Sequence, residues 1–320
     1  MSARCVILAA GEGRRLRPLT EHLPKPMLPV ANMPLLAHNL ALAAEFDMPS
    51  VGVNVHHAAD AVMEAFGDGG AWGTRITWRR EPVLTGPAGA LTAFDGWLPS
   101  VPFVVMSGDA LHTIDLASLL EAHTRSGARL SVVVQEVEDA GRYGVARTDH
   151  AGFVVSFAEK PAVSRGRRGL VSCGVYCVDP TLVARIPRGC VYDFGAHLIP
   201  ELVAAGERVL AFEHEGYWTD IGTPETFRRA NLDAVSGVVP LKTLPVGDDV
   251  GRGPVLWGRG VQVGRRAEVI GPAVIGDDAV IGDDAAVHCS VLLNSAVVAP
   301  ATFVVDAVVG ARGPVQTGLR

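Results

Sequence analysis

From Val263 to Val305 aliphatic side chains recur at every sixth position: Val263, Val269, Ile275, Ile281, Val287, Leu293 and Val305, with Ala299 in phase. Four residues after each of the first four stands an alanine: Ala267, Ala273, Ala279 and Ala285. A period of six suits neither a helix at 3.6 nor a plain strand at 2. It fits a left-handed parallel β-helix, in which each hexapeptide forms one flat side of a triangular coil. Aliphatics then fill the prism, small residues sit near the corners, and Gly276–Asp277 and Gly282–Asp283 make bends. Residues 250–320 supply about three such coils, at roughly three hexapeptides each.

The rest of the chain has another rhythm. Short apolar runs at Arg4–Ala10, Val51–Val55, Phe103–Met106 and Leu130–Glu136 alternate with helical spacing at Leu35–Phe46, Ala58–Phe66 and Leu116–Thr124. That βαβ order predicts a three-layer α/β domain with a mainly parallel sheet. Val145–Thr148 and Phe153–Glu159 read as a hairpin beside it, and Pro224–Ala234 as a closing helix capped by Thr223. The expected division is this α/β domain at 1–236, a linker at 237–249 holding Pro240 and Pro245, and the β-helix at 250–320.

The 320 residues carry a net charge of −6, which argues against a broad grip on nucleic acid phosphates. The run Cys5–Ala10 is too short for a signal peptide or a membrane span. Five cysteines (Cys5, Cys173, Cys177, Cys190, Cys289) form no C-x-x-C pair. An odd count without that spacing disfavours a disulfide scaffold or structural zinc and points to a reducing cytoplasm. Of the 28 cationic side chains only Lys25, Lys160 and Lys242 are lysines, so each is a candidate site for a compact ammonium.

The densest signal is Leu8-Ala9-Ala10-Gly11-Glu12-Gly13-Arg14-Arg15-Leu16-Arg17-Pro18, followed by Pro24-Lys25-Pro26. A strand running into a glycine-rich loop lets backbone N–H groups approach a phosphate, with Arg14, Arg15, Arg17 and Lys25 close behind. No third glycine completes a dinucleotide fingerprint, and no G-x-x-x-x-G-K-[ST] occurs.

This stretch resembles the sugar-1-phosphate nucleotidyltransferases, whose loop reads L-[AG]-[AG]-G-x-G-T-R-L-x-P-L-T-x-x-x-P-K-P; Arg14 stands where the family has threonine. The resemblance continues through Ser107-Gly108-Asp109, Tyr143-Gly144-Val145, Glu159-Lys160-Pro161 and Tyr217-Trp218-Thr219-Asp220-Ile221-Gly222, in the family's order. It implies a Rossmann-like three-layer domain followed by the β-helix. It implies a reaction in which a sugar phosphate attacks the α-phosphorus of a nucleoside triphosphate and pyrophosphate leaves. Arg15 and Lys25 would hold the β- and γ-phosphates, and Asp109 and Asp220 would hold Mg²⁺. Leu8, Ala9, Ala10, Gly11, Gly13, Arg14, Glu81, Gly86 and Gly89 would surround the nucleotide. Gly144, Glu159, Lys160 and Cys173 would take the sugar phosphate. Plainer roles stand beside these: Asp109 or Asp220 as turn caps, Glu159 and Lys160 as a surface pair, Cys173 as a small buried residue.

Glu81-Pro82-Val83-Leu84-Thr85-Gly86-Pro87-Ala88-Gly89-Ala90-Leu91 is similar to the family's L-G-T-A-G-A-L segment, with Thr85 for leucine and Pro87 for threonine. Glu81 falls near a glutamine that reads the base in many relatives. A carboxylate only accepts hydrogen bonds, and guanine offers two neighbouring donors, so this position favours GTP, with mannose 1-phosphate as partner. Glucose 1-phosphate or a cyclitol phosphate with ATP, UTP or dTTP is the alternative. A β-helix acyltransferase would need more coils and a catalytic histidine, and His288 is the segment's single histidine. A silent regulatory homologue would be expected to lack Arg15, Lys25, Asp109 and Asp220. The β-helix is expected to pack on its own catalytic domain or on a second copy, giving a homo-oligomer.

Overall fold

In the computed structural model the run Cys5-Val6-Ile7 is wholly buried, as are Val51 and Val53. Strands covered on both faces lose the polar alternation of a half-exposed sheet and read as continuous apolar segments. The described residues are 3–21, 23–241, 252–311 and 313–315; the expected linker lies outside them from residue 242 to 249. They form two compact units: the stretch ending at Gly11 with Asn39–Ala110 and Ile114–Trp218, and Glu12–His38 with Leu111–Thr113 and the chain from Thr219.

The first unit is built on a nine-stranded sheet. Arg4–Leu8 lies between Ser50–Val55 and Phe103–Ser107, parallel to both, and Arg75–Arg80 extends the Ser50–Val55 side in parallel. The chain therefore leaves Arg4–Leu8 towards one edge and returns on its other side at Phe103–Ser107. Such a switch point opens a crevice at the carboxyl ends of the two strands, the place where open α/β sheets bind ligands. Gly169–Val178 runs antiparallel to Phe103–Ser107 and to Leu130–Val137, with a register break between Ser172 and Tyr176. Gly144–Thr148 and Val154–Glu159 form the expected hairpin. Phe94, Phe103 and Phe194 are the largest fully buried side chains of a core shared with Val105, Val132 and Leu198; each such burial contributes roughly 1.5–3 kcal/mol.

In the second unit the helix Pro224–Val235 starts with a capping box: Thr223 Oγ1 accepts from Thr226 N, and Thr226 Oγ1 accepts from Thr223 N. Its fully buried Asn231 accepts from Ala31 N and donates to the carbonyls of Pro29 and Phe227. Asn32 donates to Ile275 O, and Arg228 donates to Cys289 O and Asp306. The turn at Ala31–Asn32 is thereby tied both to the helix and to the C-terminal coils.

Those coils are parallel ladders of short strands on three faces. Val269, Ile275, Ile281 and Val287 point inward, and Ala273, Ala279 and Ala285 are buried. Asp278 and Asp284 take the left-handed backbone at the bends. The expected phase holds only to Val287. Beyond it the inward residues are Leu292, Val298 and Val304, whereas Leu293 is half-buried, Ala299 exposed and Val305 44% exposed. The cause is a shortened corner, His288-Cys289-Ser290, in which Cys289 takes φ 46° and Ser290 Oγ accepts from Ala307 N. Corner bonds span 18 residues before it (Arg265 N to Asp283) and 17 across it. One residue fewer moves every later side chain by one place. Val263 keeps the inward phase but sits on an edge strand and is half exposed. No helix among the described residues is long and apolar enough to cross a membrane.

Candidate active site

In the first unit the two strands at the switch point end on Leu8-Ala9-Ala10-Gly11 and Ser107-Gly108-Asp109. Gly108 N donates to Leu8 O at 2.8 Å, and a Cβ on Gly108 would stand 2.9 Å from that oxygen, so the two loops meet only because Gly108 has no side chain. A Cβ on Gly11 would meet nothing within 4 Å, which leaves its backbone open to an incoming group. Asp109 Oδ1 accepts from Ser107 Oγ at 2.6 Å, which orients the carboxylate.

Gly86 takes φ 77°, and a Cβ there would fall 2.7 Å from Tyr192 O. That same carbonyl accepts from Ala88 N and Gly89 N, so these two amides are already engaged. Glu81 is 5% exposed. It accepts from Asn54 Nδ2, Thr85 N and Thr85 Oγ1 and is an internal acceptor rather than a solvent-facing one.

On the hairpin, Gly144 pairs with Glu159. A Cβ on Gly144 would stand 2.8 Å from Glu159 Oε2, and one on Gly195 only 2.6 Å from it. Two bare glycines thus make the channel through which the Glu159 side chain passes. Lys160 Nζ lies 2.8 Å from Glu159 Oε1, and Lys160 holds the left-handed φ of 45°, uncommon for a residue with a Cβ. Cys173 is 1% exposed and burial pushes its thiol pKa far up; its carbonyl accepts from Trp218 Nε1. Gly195 was not singled out in the sequence; its signal is visible only once Glu159 lies over it.

In the second unit Gly13 has φ 65°, and a Cβ there would come within 2.8 Å of Thr20 Cγ2 and 3.3 Å of Lys25 Cβ. Thr20 Oγ1 donates to Gly13 O, closing the turn. Lys25 is only 6% exposed. Its Nζ lies 3.9 Å from Asp220 Oδ1, and the Arg15 guanidinium lies 3.7 Å from Asp220 Oδ2. Two cations thus share one carboxylate, which gathers positive charge in one place. Gly222 permits it: a Cβ there would stand 2.7 Å from Asp220 Oδ2 and 2.9 Å from the Arg15 guanidinium. Arg14 is exposed and paired with Glu12. Asp109 in the first unit and Asp220 in the second each carry hard carboxylate oxygens, the donor type that suits Mg²⁺.

The first unit thus presents a switch-point α/β sheet with a glycine-rich loop, and the second a carboxylate held between Arg15 and Lys25, the kinds of group that suit an enzyme handling phosphates. The family described as nucleotidyl transferase matches residues 4–237. The chain belongs to that family and is a sugar-1-phosphate nucleotidyltransferase. It is 30% identical to a UTP–glucose-1-phosphate uridylyltransferase of Synechocystis, over 97% of this chain and 87% of the relative. It is 34% identical to a mannose-1-phosphate guanylyltransferase of Mycobacterium tuberculosis, over 85% and 74%. Among solved structures, HddC from Yersinia pseudotuberculosis with GMP-PN shares the fold, with TM-score 0.63, 24% identity, 72% of this chain and 98% of that one. A putative glucose-1-phosphate thymidylyltransferase from Bacillus anthracis gives TM-score 0.63 and 26% identity over 72% and 94%. The substrates of such enzymes are a nucleoside triphosphate and a sugar phosphate, and the family works with divalent metal ions.

Proposed function

We propose that this enzyme joins GTP and mannose 1-phosphate to give GDP-mannose and pyrophosphate, with Mg²⁺. A phosphate oxygen of the sugar phosphate bonds to the α-phosphorus as the bond to the β-phosphate bridging oxygen breaks. Both reactants are anions, so catalysis is chiefly charge neutralisation and alignment. Arg15 and Lys25 take the β- and γ-phosphates and stabilise the departing pyrophosphate. The observation that carries the reading is their shared hold on Asp220. Asp109 and Asp220 would be the carboxylates that hold the metal, which would supply charge stabilisation at the phosphoryl oxygens. Leu8–Gly11, Gly13, Gly86 and Gly89 shape the nucleotide's surroundings. Lys160 meets the sugar phosphate, Glu159 accepts from sugar hydroxyls, and Gly144 gives them room.

The guanosine choice leans on the mannose-1-phosphate guanylyltransferases among the relatives. Glu81 adds nothing to it as a base reader, because its oxygens already face Asn54 and Thr85. The uridylyltransferase of Synechocystis favours the second reading, UTP with glucose 1-phosphate. A pyrophosphate-release panel pairing each of the four common NTPs and dTTP with several sugar 1-phosphates separates them. Fastest turnover of GTP with mannose 1-phosphate supports the first; faster turnover of another pair replaces it. We also propose a cytoplasmic homo-oligomer, supported by five free cysteines and by Phe303 and Val305 exposed on one β-helix strand. Sedimentation of the purified chain as a monomer would overturn the oligomer.

A further inference from the structure

We propose that Asn54, Glu81 and Thr85 form a buried brace that sets the gap between the Leu8–Gly11 loop and the Thr85–Gly89 loop, with Glu81 a positioning residue rather than a reader of the base. The inference rests on the nucleotidyl-transfer reading of these two loops. Asn54 is the penultimate residue of Ser50–Val55, the strand beside Arg4–Leu8, in register with Leu8, and is 3% exposed. Its Oδ1 accepts from Ala9 N at 2.7 Å, and its Nδ2 donates to Glu81 Oε1. That orientation of the amide is forced, because Ala9 N can only donate and a carboxylate can only accept. Glu81 Oε2 accepts from Thr85 N at 3.0 Å and from Thr85 Oγ1 at 2.6 Å. The backbone of Glu81 is fixed as well: its N donates to Val55 O, and its carbonyl faces His56 Nδ1 at 2.7 Å.

A continuous run of hydrogen bonds thus leads from Ala9, at the head of the glycine-rich loop, through Asn54 and Glu81 to Thr85. From Thr85 the chain enters Gly86–Gly89, and Thr85 O in turn accepts from Tyr192 N. A buried carboxylate is tolerated when donors surround it, and here three do so. Three of the carboxylate's roughly four acceptor sites are thus taken and Glu81 is almost wholly shielded, so the two neighbouring donors of a guanine edge could not both be met without displacing one of them. The brace also accounts for Thr85, where the family carries leucine: the hydroxyl supplies one of the three donors.

The test is titration of each of GTP, ATP, UTP and dTTP into the full chain with Mg²⁺, together with steady-state kinetics, for wild type and the variants Glu81→Gln, Thr85→Val and Thr85→Ser. Glutamine keeps one acceptor, but its NH₂ must face either Asn54 Nδ2 or Thr85 N–H, donor against donor. The expected result for Glu81→Gln is about a tenfold weaker Kd and higher KM for every NTP. Its kcat should move little, and the preference order among the NTPs should be unchanged. Thr85→Val, which removes one donor at constant shape, should weaken all four roughly threefold, and Thr85→Ser should restore wild-type affinity. A changed order among the NTPs in Glu81→Gln, or an unchanged Kd in both Glu81→Gln and Thr85→Val, would overturn the brace while leaving nucleotidyl transfer intact. A wild-type chain that binds none of the four would instead overturn the functional reading, and the brace with it.

Discussion

The Lys25 ammonium lies 3.9 Å from Asp220 Oδ1 while Lys25 is almost wholly shielded from water. If this buried cation and Arg15, which sits at the other oxygen of Asp220, hold the triphosphate as proposed, removing the ammonium should slow the reaction. Lys25→Ala should lower kcat by roughly 10²–10³-fold with the fold retained, the scale seen when one preorganised charge-stabilising donor is removed. Lys25→Arg should recover little, since a planar fork does not replace a point charge in a buried slot. Near-normal turnover of Lys25→Ala would refute its role.

Asp109→Asn keeps the shape and the bond from Ser107 Oγ but removes the negative charge. The Mg²⁺ concentration for half-maximal rate should rise roughly tenfold or more. An unchanged metal titration would remove Asp109 from the ligand set.

Gly195 has a backbone that alanine can adopt, yet its Cβ would press on Glu159 Oε2 from 2.6 Å. Gly195→Ala should therefore displace the Glu159 carboxylate and cut kcat/KM for the sugar phosphate on the order of tenfold to a hundredfold. KM for the nucleoside triphosphate should change much less. Equal losses toward both substrates would show that Glu159 is not a contact of the sugar.

In the β-helix, Leu292 is fully buried whereas its neighbour Leu293 is half-buried. Leu292→Ala should cost about 2–5 kcal/mol of stability. Leu293→Ala should cost about 1 kcal/mol, in keeping with its smaller buried area. Urea denaturation that reversed this order would contradict the shortened corner.

Burial holds the His38 imidazole below its ordinary pKa of 6.5, while its Nε2 lies 2.9 Å from Val30 O. With the folded pKa depressed, its contribution to stability is whole above pH 6.5. It is lost as pH falls from there through the folded value, because the unfolded chain then binds a proton that the folded one does not. His38→Gln can still donate to Val30 O and does not titrate. Between about pH 6.5 and 5 its urea midpoint should fall less steeply than that of wild type. Parallel slopes would refute the assignment.

The local chemistry was legible in the chain itself. The alternation of apolar runs and helical spacing fixed an α/β sheet and the period of six fixed a β-helix; Arg15 and Lys25 stood out beside the glycine-rich loop, and Asp109 and Asp220 came forward through the family resemblance. Each of these rests on the side chains of neighbours in sequence. Less visible were the arginine-rich edge strand Arg75–Arg80, where one unpaired side tolerates charge, and the edge strand Val209–Glu213. The coil phase after Val287 escaped the repeat, because a corner can lose one residue when Cys289 turns left-handed and Ser290 takes up the backbone bonds. Tertiary structure also decided what Glu81 does. A carboxylate alone says only that it accepts hydrogen bonds; which donors it meets depended on Asn54 and Thr85 arriving from other segments. The same holds for Gly195, whose missing side chain matters because the distant Glu159 carboxylate fills the space, and for Gly222, where the Arg15 guanidinium closes in from another segment.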